Sequence, residues 1–224
     1  MTEATSPSTH YAQAKARIID LVTAPDVNLD APVPACPDWV VRDLIAHMIG
    51  VPADFVNGRM ENAPSPQWTA VQVAARRGRS LAELLAEWDE QTDAIAPVLE
   101  SPMGMNLICD AAVHEQDLRG ALGEVGEREN PIITTASGLL LGRLRAAIER
   151  GDAPALRVVI DGEANILGDG EPAGELRASA FELLRSTSGR RTPDQVRALF
   201  TSGDPDLWIE HFFVFGPRTT PLIE

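Results

Sequence analysis

Lysine is almost missing from this 224-residue chain: Lys15 is the only one, and every other cation is arginine. Cations of either kind are scarce, with 19 Lys and Arg against 33 Asp and Glu and a formal charge of −14. Nucleic-acid binding needs a concentrated basic surface, so that class of partner is excluded. Only two cysteines are present, Cys36 and Cys109, too few for a four-thiolate zinc site. No apolar run approaches the roughly 18 residues of a membrane span, which removes the membrane as a partner. The opening MTEATSPSTHYAQAK lacks a basic stretch followed by an apolar one, so no signal peptide is expected. A cytoplasmic protein with reduced thiols follows as the expectation. Also missing are a G-x-S-x-G elbow, a phosphate-binding glycine loop and a dinucleotide fingerprint.

What is present suits an ordinary globular protein: 44% hydrophobic and 23% charged residues, in a length that allows one large domain or two small ones. The first half reads as helices. Ala14, Ile18, Leu21 and Val22 recur at helical spacing between Tyr11 and Val22, and Pro25 stops them. A proline-rich loop with Pro25, Pro32, Pro34 and Pro37 follows. Asp38 then predicts an N-cap for a helix from Trp39 to about Phe55, and Ser80 with Glu83 marks the start of, or a break in, a long helix reaching Val98. Further helices are predicted over Met105–Leu122 and Ile132–Arg150, completing an antiparallel bundle.

After Gly151 the pattern changes. Leu156–Ile160 is β-branched, Asp161-Gly162 signals a hairpin into Ala164–Leu167, and another strand is predicted near Glu175–Arg177. Short helices are expected over Ser179–Ser186 and from Thr192 to Phe200. The predicted organisation is α+β, with a helical bundle over residues 1–151 and a smaller α+β domain over 152–224.

Four histidines bound the chemistry: His10, His47, His114 and His211. His10 falls in an expected frayed end, and His211 among aromatics reads as core. His47, mid-helix in DLIAHMIG, reads either as a hydrogen-bonded core residue or as a ligand. Asp110 and His114 in CDAAVHEQDLR are four apart, on one helix face, where a carboxylate and an imidazole can share a cation or only a hydrogen bond. HEQD is not a zincin motif, since Leu118 stands where a second histidine is required. Glu115 is expected to face solvent. Asp117 is read as an acceptor for the His114 ring or as an ion-pair partner of an arginine such as Arg119. Cys109 reads as a small buried residue.

The run VPACPDWVVRDLIAHMIG resembles a signature of the mycothiol-dependent maleylpyruvate isomerase family, with the match on Pro37, Trp39, Val41, Asp43, Leu44 and His47. The pattern of Asp110, His114, Glu115 and Asp117 resembles the family's second element, and RASAFELLRSTSGRRTPDQVRALFTSGDP resembles its smaller domain. The resemblance implies a DinB-like bundle in which His47, Asp110 and His114 bind one divalent metal, zinc first, with mycothiol as cosubstrate. Where the characterised isomerase has glutamate, this chain has the shorter Asp110. The implied chemistry is isomerisation or S-transfer, in which a low-molecular-weight thiol, activated at the metal, adds to an electrophilic small molecule. Acidic substrates would need cationic clamps, for which Arg190, Arg191 and Arg218 are the candidates, against structural ion pairing as their other role. The arginine excess agrees with a GC-rich actinobacterial source, where mycothiol occurs. Two other readings stand beside this one: a metal- or ligand-binding module without thiol chemistry, and an interaction scaffold.

Overall fold

A computed structural model describes residues 6–214 and 216–224. Residues 1–5, part of the segment read for a signal peptide, and residue 215 of WIEHFFVFG lie outside them. The chain forms two compact units, Met1–Gly126 and Glu127–Glu224. The first is helical and the second is a small α+β unit, the predicted fold class. No helix among the described residues is long and apolar enough to cross a membrane.

The first unit contains α1 (Pro7–Thr23), α2 (Val41–Val56), α3 (Pro66–Arg76), α4 (Leu81–Glu90), α5 (Thr92–Leu99) and α6 (Gly104–Leu122). Ser6 caps α1 and Pro7 opens it, which orders the first turn, so His10 is buried in the helix and not frayed. Asp38 is not the cap of α2. Backbone bonds from Trp39 N to Cys36 O and from Val33 N to Trp39 O hold that segment as a turn. The helix begins at Val41, and the Asp43 carboxylate accepts the Val40 N–H at 3.3 Å. Helix α3 was not anticipated, although Ser65 accepts from Trp68 N and Pro66 follows it, a readable start signal. The predicted long helix is divided at Gln91 into α4 and α5; Pro97, inside α5, has no N–H to return to the preceding turn.

Helices α1, α2 and α5 surround α6, so α6 has hardly a solvent face. The turn between α5 and α6 is tight because Gly104 has no side chain: a Cβ there would lie 2.1 Å from Leu99 O. Gly104→Ala should therefore destabilise the first unit by about 3 kcal/mol, the upper end for overpacking. Denaturant unfolding checks this, and a midpoint equal to wild type would refute it.

The second unit starts with α7 (Pro131–Arg150), which the composition change near residue 151 had assigned to the bundle. Its apolar face instead packs on α8 (Ala180–Thr187) and on the sheet, with Leu144 and Ile148 in the same core as Leu156, Leu176 and Leu183. Helical periodicity shows that a face is buried, not which neighbour buries it. The four-stranded sheet has the order β2-β1-β3-β4, with β1 Leu156–Ile160, β2 Glu163–Leu167, β3 Gly174–Ala178 and β4 Phe200–Ser202. The predicted hairpin is present: Ile160 pairs with Glu163 across Asp161 (φ 49°) and Gly162 (φ 90°), the double positive φ of a tight turn. β1 runs parallel to β3, and the unpredicted β4 is antiparallel to β3. Thr192 caps the short α9 (Pro193–Arg197). Buried Trp208 stacks on Phe200 at 5.7 Å, and its indole N–H donates to Pro154 O at 2.6 Å.

Candidate functional site

Two helices supply the candidate ligands. His47 sits in the middle of α2, and Asp110 and His114 lie one turn apart on α6, which packs against it. The Asp110 Oδ1 atom lies 3.5 Å from His47 Nε2 and 3.5 Å from His114 Nε2. The two imidazole rings meet edge to face at 5.0 Å between centroids. All three ligand atoms lie within 4.8 Å of one another. In a tetrahedral zinc shell with metal–ligand bonds of about 2.0–2.1 Å, ligand atoms stand roughly 3.4 Å apart. The aspartate, one methylene shorter than glutamate, thus reaches as far as this spacing requires.

The far nitrogen of each ring is tied down. His114 Nδ1 donates to Asp117 Oδ2 at 2.8 Å, so Asp117, fully buried on the next turn, takes the first of the two roles read for it. His47 Nδ1 lies 2.7 Å from Gln72 Oε1, on α3. Burial holds the His114 ring below the ordinary histidine pKa, against the pull of the Asp110 and Asp117 carboxylates. A neutral imidazole is the form a cation requires. Two imidazoles and a carboxylate, aimed at one point with coordination positions left over, are a donor set that a divalent cation fits.

Aromatic rings wall the site. Trp39 lies 5.0 Å from the His47 ring and 6.5 Å from His114, and Trp68 stands edge-on to His47 at 6.4 Å. Asp110, at 22% side-chain exposure, is the most open of the three candidate ligands. Cys36 had no role in the sequence reading, yet its thiol donates to Asp117 Oδ2 at 3.7 Å. Cys109 is buried, as expected.

Glu115 does not face solvent. Its carboxylate is fully buried and takes both Arg17 (2.8 and 2.7 Å) and Arg119 (3.3 and 3.2 Å). The three arginines considered as clamps all belong to the second unit. Arg191 is held by Glu182 at 2.8 and 3.0 Å and by Glu224 at 2.9 Å. Burial works against its charge, but those carboxylates outweigh it and raise its pKa. Arg190 donates to Ser188 O at 2.7 Å, and Arg218 to Thr220 O at 3.1 Å. For Arg191 the structural ion-pairing role is the one on view.

A helical bundle with a buried His-His-Asp cluster, followed in the chain by a small α+β unit, is the class of protein that the fold and the cluster define. Residues 11–103 match the family model of the Mycothiol maleylpyruvate isomerase N-terminal domain. The match includes His47 and ends before Asp110 and His114, whose place in the cluster rests on the geometry. The fold is similar to the crystal structure of the mycothiol-dependent maleylpyruvate isomerase (TM-score 0.56, 13% identity, 82% of this chain and 88% of that one). It is equally similar to that of a histidine-to-alanine mutant of the isomerase (TM-score 0.55, 12% identity, 82% and 88%). No curated protein matches the sequence significantly.

Proposed function

We propose that the protein is a metal-dependent enzyme that uses mycothiol as cosubstrate, either to isomerise a small electrophile or to transfer the thiol to it. The observation that carries the metal half is the convergence of His47 Nε2 and His114 Nε2 on Asp110 Oδ1, each 3.5 Å from it. The thiol half is supported by the family of the N-terminal domain and by the fold it shares with the isomerase. Zinc is the cation we assign, because the spacing suits a tetrahedral shell with an open position. Bound there, it supplies the Lewis acidity that lowers the pKa of a thiol toward neutrality.

The chain's own residues do the rest. His47 and His114, each fixed through Nδ1, present Nε2 to a cation without reorganising. Trp39 and Trp68 cover the His47 side and limit water there, which leaves the more exposed Asp110 side as the approach for a thiol and its acceptor. A cytoplasmic location agrees with this reading, because low-molecular-weight thiols are kept reduced there.

The test is metal content followed by cobalt substitution. The purified chain should carry about one divalent metal per molecule, and mycothiol should change the visible spectrum of the cobalt form. Metal uptake with an unchanged spectrum would favour the other reading, a binding module without thiol chemistry. A chain that takes up no metal would remove the centre of the proposal.

A further inference from the structure

Helix α3 contributes no candidate ligand, yet it places one buried polar side chain against the site. Gln72 is buried, with its Oε1 2.7 Å from His47 Nδ1 and its Nε2 2.8 Å from Asp54 Oδ2. Asp54 in turn accepts Arg59 Nε at 2.8 Å through Oδ1. This chain of bonds has a direction. An ionised carboxylate only accepts, so the amide nitrogen of Gln72 must face Asp54 and the amide oxygen must face His47. That oxygen can only accept, so His47 Nδ1 carries the hydrogen. In the neutral ring Nε2 is then a bare lone pair, and it is the nitrogen 3.5 Å from Asp110.

The backbone of α2 has been shaped for the same contact. His47, Gly50 and Asp54 follow each other at three- and four-residue spacing along one face of the helix. A Cβ on Gly50 would lie 2.6 Å from Gln72 Cβ and 2.8 Å from its Cγ, so the stem of Gln72 occupies the place of the missing side chain. Arg76, one turn further along α3, donates to Gln72 O at 3.1 Å and pairs with Glu87 of α4, which holds the helix against its neighbours.

We propose that Gln72, seated over Gly50 and oriented by Asp54, is the positioning residue that locks His47 in its Nδ1–H tautomer and so makes Nε2 a preformed ligand atom. His114 receives the same service from a carboxylate, Asp117; His47 receives it from an amide whose orientation the next carboxylate dictates. The consequence for metal affinity rests on the proposed metal reading, whereas the tautomer itself does not.

The experiment is long-range nitrogen-15 NMR of the histidine-labelled, metal-free full chain at neutral pH, paired with zinc affinity measured against a chromophoric chelator. In wild type, His47 should show the Nδ1–H tautomer. Gln72→Leu and Gly50→Ala should move it toward Nε2–H while leaving His114 unchanged, and zinc binding should weaken by about ten- to hundredfold, the usual effect of losing a ligand's outer partner. Should Gln72→Leu fail to fold, Asp54→Asn decides the matter, since an amide at position 54 lets Gln72 turn over and releases the His47 tautomer. A His47 that stays Nδ1–H in Gln72→Leu, or in Asp54→Asn, overturns the proposal even if zinc binds. A tautomer shift in a chain that binds no zinc upholds the positioning role and removes the metal reading instead.

Discussion

Asp110→Asn is expected to lower zinc affinity by at least about a hundredfold, because loss of an outer-shell partner alone costs roughly ten- to hundredfold and this change neutralises a ligand. It is the cleanest of the three ligand substitutions. Asp110 is 22% exposed, so an amide in its place leaves no buried charge behind. His114→Ala should lower zinc affinity as well, but it also strips the fully buried Asp117 carboxylate of its imidazole donor and so weakens the fold. His47→Ala should match Asp110→Asn in effect, and His211→Ala, in the second unit, should leave affinity unchanged. Asp110→Glu is expected to bind more weakly than wild type, since Oδ1 already stands at the spacing of a metal shell and another methylene overshoots it. Equilibrium competition with a chelator reads all five proteins. Wild-type affinity in Asp110→Asn would take this carboxylate out of the site.

The second large effect is on stability. Glu115→Ala should destabilise the first unit by about 3 kcal/mol, the lower end for breaking a buried ion pair. The carboxylate is 0% exposed, and its loss leaves two guanidinium groups facing a cavity. The lower end applies because Arg17 and Arg119 keep 23% and 14% side-chain exposure and can turn partly toward water. Arg17→Ala or Arg119→Ala alone should cost less, since Glu115 then keeps one partner. Urea unfolding followed by tryptophan fluorescence suits the measurement, because Trp39, Trp68 and Trp88 all lie in the first unit. A change below about 1 kcal/mol for Glu115→Ala would show that the pairs are replaced by water at little cost.

Glu115 also shows where reading along the chain stops. By local pattern, a glutamate beside a histidine on a helix is a solvated charge. Its burial follows from α6 being packed on several sides, and nothing in HEQD announces that. The same limit explains Gln72 and Cys36, which reach the site from α3 and from the proline-rich loop through contacts distant in sequence. The start of α3 at Ser65-Pro66 is a local signal that places a helix there, though not its glutamine beside His47.

Periodicity, capping residues and turn chemistry act over a few residues, and from them the sequence alone determined most helices, the Asp161-Gly162 hairpin and the change from helical to α+β character. The one-turn spacing of Asp110 and His114 belongs to the same class, because a helix fixes what lies four residues away. Which surfaces meet is a different question, answered by burial of apolar faces that have several possible partners. That choice sent α7 to the sheet and brought His47 of α2 opposite Asp110. It also turned Asp117 toward an imidazole, Arg191 toward Glu182 and Glu224, and the amide of Gln72 toward the His47 ring.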